Sequence, residues 1–272
     1  MAAALKFFPA ADDAQISCQS LAGTTLLMPG PNGLGFVGQL TLDLVISTLK
    51  MQRVGFLESP DAMAVVGMDS YGSWDTPKAR VAIEVYQSSA SEPSSESGKN
   101  SIVTVLMLRS RVHKGRGVAF CNSLTEWIQS IEFSKVLLVT ALDGTRRTDR
   151  QIMSSPLRYC TVGKDFHDQF PTITKLDWLL MEPSEELYTE NPTRIPPGGG
   201  LTRFMLDAFE RNKMSLTVMS WFALEGDNMG AVEGFAFAIN NLLALCPQNT
   251  PWTRPNSWGR IYGQERFTRD LF

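Results

Sequence analysis

Six residues, Gly33-Leu34-Gly35-Phe36-Val37-Gly38, spell G-x-G-x-x-G between an apolar run and a helical pattern. In a dinucleotide-binding fold that spacing brings backbone N–H groups against a pyrophosphate at a helix N-terminus. Glu58 follows Gly38 by about twenty positions, where a ribose-binding carboxylate would sit. The upstream spacing opposes this chemistry. Pro29 to Gly33 separate Met28, at the end of the apolar run, from the first variable position, whereas the nucleotide motif begins where its strand ends. Pro29 and Pro31 also remove two N–H donors from the linker. A tight strand-to-helix crossing that needs small residues explains the glycines better than a cofactor site does.

Three further clusters invite a chemical reading. Gly198-Gly199-Gly200 precedes a helical pattern and would expose N–H groups to an anion, but no lysine follows at P-loop spacing. A backbone bend or close packing accounts for the same run. Glu225-Gly226-Asp227-Asn228 follows an apolar strand, at the kind of strand end where ligands collect in parallel sheets. Its carboxylates would suit a divalent cation, and Asp227 or Asn228 would equally suit the N-cap of the next helix. Nucleophilic catalysis has little to work with. No G-x-S-x-G elbow occurs, Cys121 and Cys160 have no histidine nearby in sequence, and the chain holds only two histidines, His113 and His167. His113 sits among Arg111, Lys114 and Arg116 and reads as an exposed loop residue, while Ser154-Ser155-Pro156 reads as readily as a cap or turn as it does as a nucleophile. The four scattered cysteines and two histidines make no zinc spacing. The sequence therefore predicts no catalytic, cofactor-binding or metal-binding residues.

Charge points the same way. The net charge is −3 over 272 residues, without long runs of one sign, which excludes a phosphate-driven nucleic-acid partner. Arg146, Arg147 and Arg150, flanked by Asp143 and Asp149, read as a solvated, ion-paired surface. No apolar stretch approaches membrane-spanning length, and Met1 to Leu5 lack the apolar region of a secretory signal. Free, scattered cysteines fit a reducing compartment, so the expected location is cytoplasmic and nuclear.

Positioning any of these groups falls to an alternation of strands and helices. Thr24–Met28 reads as a buried strand, Val37–Lys50 as a helix with Leu40, Leu44, Val45 and Leu49 on one stripe and Asp43 off it, and Arg53–Leu57 as a strand. Such a β-α-β unit normally closes as a parallel pair. Val81–Tyr86, Ile102–Leu108 and Val136–Thr140 are further strands, and Asn122–Ile131 is a helix carrying Leu124, Trp127, Ile128 and Ile131. The Ser-, Glu- and Gly-rich stretch 87–101 reads as a mobile loop. Residues 146–197 are irregular, and Phe166, Phe170, Leu176, Trp178 and Leu179 are expected to form short helices capping the sheet. A helix from Thr202 to Arg211, a strand at Leu216–Leu224 and a buried helix at Met229–Leu245 complete the pattern. The expected fold is α/β: a three-layer sandwich with a mostly parallel central sheet, a helical cap insertion and an extended C-terminal tail. Residues 1–245 form the domain and 246–272 the tail.

Several strings, in order and at family spacing, resemble the proteasome assembly chaperone 2 family. They are Leu26–Pro29, Val37–Leu49, Ser155-Pro156-Leu157-Arg158-Tyr159, Arg194–Gly200, Glu225–Asn228 and Ser257-Trp258. The resemblance implies a protein without cofactor or reaction. It implies a heterodimer with proteasome assembly chaperone 1 and binding to proteasome α subunits, which would promote correct core particle assembly and block off-pathway association. In this family C-terminal tails enter pockets between α subunits with a hydrophobic–tyrosine–any-residue ending. Here the ending is Asp270-Leu271-Phe272, so Leu271 stands where the tyrosine would be and Asp270 is not hydrophobic. By resemblance these three residues form the proteasome-binding tail. The readings left in competition are a nucleotide-dependent oxidoreductase built on Gly33–Gly38 and a nucleoside-type hydrolase on a related sandwich.

Overall fold

A computed structural model describes residues 5–10, 18–72, 78–89, 102–170, 178–182 and 198–261. In chain order these form β1 (Lys6–Pro9), β2 (Thr25–Pro29), α1 (Val37–Thr48), β3 (Gln52–Glu58), β4 (Val66–Met68), β5 (Ala79–Val81) and β6 (Ile83–Gln87). There follow β7 (Val103–Leu108), α2 (Gly117–Ile131), β8 (Lys135–Asp143), α3 (Asp149–Ile152), β9 (Leu157–Val162), α4 (Phe166–Gln169) and β10 (Leu179–Leu180). The last elements are α5 (Thr202–Arg211), β11 (Leu216–Ala223), α6 (Met229–Leu243) and α7 (Trp258–Ile261).

The main sheet has the order β1-β3-β6-β7-β2-β8-β11-β9-β10. Its centre, β7-β2-β8-β11, is parallel throughout. These strands read as nearly unbroken apolar runs because both of their faces are covered. In β8, Val136, Leu138 and Leu142 enter one core while Leu137, Val139 and Ala141 enter the other. Helices α2 and α5 pack together over the first core, and α1 and α6 over the second. That gives the three layers the alternation implies. Antiparallel pairs widen the sheet on the β6-β3-β1 side and join β9 to β11 on the other.

Three expectations are corrected. Although β2, α1 and β3 follow one another as read, β3 does not pair with β2. The β6–β7 hairpin lies between them, each of its strands paired to its neighbour, so the crossover spans two intervening strands. Helix α2 begins at Gly117, ahead of the expected Asn122, and buries Phe120 and Cys121 in addition to the expected stripe. The 146–197 stretch is not purely a helical cap, because β9 within it is a full strand of the sheet, paired in register from Leu216↔Val162 to Trp221↔Leu157. Its Arg158 breaks the apolar pattern and hides the strand from a periodicity reading. Phe166 and Phe170 are buried as expected, and Trp178 stacks near Phe166 with ring centroids 6.2 Å apart. Leu179 instead lies in edge strand β10. Leu176, most of the 87–101 loop and the Arg194–Pro197 string fall outside the described residues.

The start of the C-terminal tail belongs to the second core. Trp258 is buried there and Trp252 packs against it. Thr253 N–H donates to Thr48 Oγ1 at 2.9 Å and Ser257 N–H to the Ser70 carbonyl at 3.2 Å.

Candidate interaction surface

The glycine motif sits on the loop from β2 into α1, at the carboxyl end of the parallel strands. Gly30, just ahead of the motif, and Gly35 and Gly38 within it have steric reasons there, and a Cβ on Gly33 would lie 3.1 Å from Thr140 Oγ1. A Cβ on Gly30 would lie 2.5 Å from Thr140 Oγ1, and one on Gly38 would overlap the Val139 carbonyl oxygen. Gly35 takes a φ of 58°, a left-handed geometry that glycine adopts without a Cβ clash, and a Cβ there would crowd Asn228. Phe36 is also left-handed, with φ 54°. A 3-10 turn at Leu34–Phe36 separates the strand from the helix, so the motif makes a packed crossing rather than a phosphate cradle. Glu58 lies at the end of β3, three strands from β2, opposite Lys6 of β1. It is not placed beside the glycines.

The other candidate clusters are also taken up by structure. Gly198 (φ 98°) packs against the backbone of Leu142 and Asp143, and Gly200 (φ 59°) against that of Pro31 and Asn32, so this run brings α5 onto two strand-end loops. Asp227 accepts from Met229 N–H at 2.9 Å, and the Asn228 amide donates to the carbonyls of Leu224 (2.8 Å) and Gly226 (3.3 Å). The loop thus organises the start of α6, by Asp227's Asx-type contact and without a side-chain cap from Asn228 itself. Cys121 is buried and its thiol is pushed up to about 12 by burial and then by Asp207, which removes it as a thiolate nucleophile. His113 and His167 are both exposed. Ser154 Oγ accepts from Arg158, and Ser155 Oγ accepts from Leu157 N–H. Among the described residues no group of three His, Cys, Asp or Glu side chains is placed to hold a metal ion.

Two polar cores lie inside the fold, one of them around a residue that the helical pattern set off the buried stripe. Asp43, read as off the buried stripe of α1, is itself buried and paired with Arg109 at 2.8 and 3.0 Å. Tyr71 donates its hydroxyl to Asp43 and accepts from Arg109. Burial, then the Asp43 carboxylate, push the Tyr71 phenol well above its ordinary range, so it remains a donor. Beside it the fully buried Glu84 pairs with Arg53 at 3.0 Å, lies 3.7 Å from Arg80, and accepts from Tyr86 at 2.9 Å. The second core centres on Arg158, fully buried and 2.9 Å from Glu182. Arg158 and Arg147 both lie over the Phe222 ring, at 5.6 and 5.1 Å. Arg147 therefore does not share the solvated setting expected of its cluster, although Arg146 and Arg150 are exposed. Both networks hold loops to the sheet, and no spacing pattern signals them because their central pairs, Asp43–Arg109, Arg53–Glu84 and Arg158–Glu182, join distant parts of the chain.

Two large apolar side chains stand open to a partner at this end of the sheet, beside the exposed Arg111, Glu225 and Asp227. Phe36 and Leu224 are 52% and 55% exposed. Beside them a cleft of about 550 Å³ is lined by Leu34, Phe36, Leu40, Arg111 and Glu225 together with backbone of the 32–35 loop. Its walls carry one cation and one anion beside apolar side chains and loop backbone, a mixed composition suited to a protein segment. The expected tail residues Asp270, Leu271 and Phe272 lie outside the described residues.

Known proteins align with this architecture over nearly its whole length. The sequence profile of the PAC2 family matches residues 27–220. The protein named proteasome assembly chaperone 2 of Bos taurus is 31% identical over 271 residues, covering 94% of this chain and 97% of the bovine one. Its Homo sapiens counterpart is 30% identical, covering 91% and 94%. Among solved structures, Pyrococcus furiosus PbaB, an archaeal proteasome activator, superposes with a TM-score of 0.61 at 12% identity, covering 90% of this chain and 91% of its own. Pyrococcus furiosus PbaA, an archaeal homologue of proteasome-assembly chaperone, gives 0.59 at 11% identity, with coverage of 89% and 87%. The two archaeal structures share the fold, the profile and the full-length relatives share the sequence, and the chain belongs to the PAC2 family of proteasome assembly chaperones.

Proposed function

We propose that this chain is a non-catalytic subunit of a chaperone pair. It joins proteasome assembly chaperone 1, and the pair binds the proteasome α-ring while the core particle is built, in the cytoplasm and nucleus. By holding the ring's outer face the pair keeps incomplete rings from associating wrongly. The observation that carries this reading is the 31% identity to a protein named proteasome assembly chaperone 2 across 94% of the chain. The geometry supports it, since the motif that would have argued for a nucleotide enzyme is consumed by helix–strand packing. The tail ending Asp270-Leu271-Phe272 is proposed to contact the ring, with its apolar end in a pocket and its carboxylate on a pocket cation.

A tagged copy purified from its own cells tests the reading by mass spectrometry of what accompanies it. The expected companions are one other α/β chaperone subunit and α subunits, without β subunits in the earliest complexes. A tagged chain that carries a nucleotide or turns over a substrate, and brings no α subunit, would overturn it.

A further inference from the structure

Between Asp61 and Asp69 the chain runs Met63-Ala64-Val65-Val66-Gly67-Met68, six consecutive residues without a polar side chain, and all six are exposed. Val66 is 77% and Met68 55% exposed. Contiguous apolar surface of this kind marks an interaction site when it is held in place. Here it is held at both ends. Asp61 pairs with Arg116 at 2.6 Å and Met63 N–H donates to the Arg111 carbonyl at 2.9 Å. Asp69 pairs with Arg80 at 2.5 Å, while Tyr71 is fixed by Asp43 and Arg109.

The backbone of this segment has one open edge as well. Among the described residues β4 pairs only with β5, antiparallel, as Val66↔Val81, Gly67↔Arg80 and Met68↔Ala79, apart from the main sheet. Asp69 N–H donates to the Lys78 carbonyl at 3.0 Å. Antiparallel ladders alternate, so Gly67 turns its N–H and C=O toward Arg80 while Val66 and Met68 turn theirs outward. An isolated three-residue ribbon with an apolar outer edge is a template for another strand. Arg111, His113 and Lys114, next to the Met63 end, are exposed, and no ion pair involves Arg111 or Lys114 among the described residues. A strand seated on β4 would therefore be apolar along its middle and acidic where it passes this end.

We infer that β4 is a docking edge, and that its occupant is an extended apolar strand with an acidic flank belonging to the partner chaperone subunit. This rests on the pairing proposed above and assigns it a surface. Seated there, the strand would pair with the outward groups of Val66 and Met68, cover Val65 and Val66, and bring its carboxylates to Arg111 and Lys114.

Two substitutions at one position separate the contributions. Val66→Lys removes apolar contact. Val66→Pro keeps an apolar residue but deletes an N–H that no described residue accepts and a docked strand would. Val118→Lys, at an exposed apolar residue on α2, is the control. Each is co-expressed with the partner subunit, and the dissociation constant of the pair is read by dilution, alongside the Tm of the chain. The expected result is a pair weakened about tenfold or more by both Val66 substitutions, about 1.4 kcal/mol each, with Val118→Lys and every Tm unchanged. If the wild-type chain forms no pair, the proposed function fails and this assignment with it. If the wild type pairs and the Val66 variants pair equally well, the assignment alone fails. It also fails if those variants lose only α-ring capture, or only self-association of the chain, since the strip would then face the ring or a second copy.

Discussion

Asp43 on α1 and Arg109 just beyond β7 face each other as a two-point ion pair, 2.8 and 3.0 Å long, closed from above by the Tyr71 hydroxyl. The two residues are 66 positions apart, and Tyr71 reaches them from a loop that contributes no strand to the main sheet. This pairing fixes the loop that carries β4 against the helix that follows the glycine motif. Asp43→Asn leaves the Arg109 guanidinium buried without its counter-charge, and loss of one partner of a buried pair costs about 3–5 kcal/mol. Arg109 retains some solvent contact, so the expected loss is about 2–4 kcal/mol in urea unfolding. A change below about 0.5 kcal/mol would show that solvent replaces Asp43.

Gly38 tests whether the glycine motif is packing. Gly38→Ala places a carbon inside the Val139 carbonyl oxygen, so α1 must move off β8. Overpacking of this kind costs about 1–3 kcal/mol. Gly230→Ala on α6 meets nothing within 4 Å and is expected to leave Tm level or raise it. Neither the wild type nor any variant should bind NADH or ATP, and a dissociation constant below about 10 μM by calorimetry would refute the packing reading.

Glu182 gives a pH signature. Burial is the largest influence and opposes its charge, but the hydrogen bonds from Arg158, its own backbone N–H and Gln151, with the Arg158 charge, together outweigh burial and hold its carboxyl below the ordinary value of 4.5. A carboxyl lowered in the folded state adds stability that is fully present above its unfolded value and is lost as pH falls through the folded one. The wild type should therefore exceed Glu182→Gln in stability near neutral pH, with the gap closing as pH falls below the ordinary glutamate value of 4.5. A gap independent of pH would assign the effect to side-chain packing.

Deleting Asp270 to Phe272 separates a ring-binding tail from a structural one. In a preformed pocket Leu271 and Phe272 would contribute roughly 1.5–3 kcal/mol each before ordering costs. The deletion should leave Tm and pairing with the partner chaperone unchanged and weaken capture of α-ring intermediates. A fall of several degrees in Tm with capture intact would place the tail in the domain core.

Much of this protein is legible in its sequence, because helices and strands that line a core advertise it locally. Leu124, Trp127, Ile128 and Ile131 recur at helical spacing and are buried together on α2. The run Val136–Thr140 reads as a short central strand and lies within β8, which extends it at both ends. The two prolines and the added length before Gly33 likewise point to a packed crossing, and the carbonyl of Val139 under Gly38 supplies the packing. Neighbour relations are another matter. Periodicity reports whether a residue faces a core but not which strand lies beside it, so the β6–β7 hairpin between β2 and β3 has no local trace. Arg158 and Asp43 look like surface residues until Glu182 and Arg109 arrive from elsewhere in the chain, since a charge is buried only when a distant partner compensates it. The exposed strip Met63–Met68 is the converse case. Its composition is that of a core strand, and only the tertiary structure leaves it uncovered, because the loop that carries it is anchored at its two ends rather than along its length.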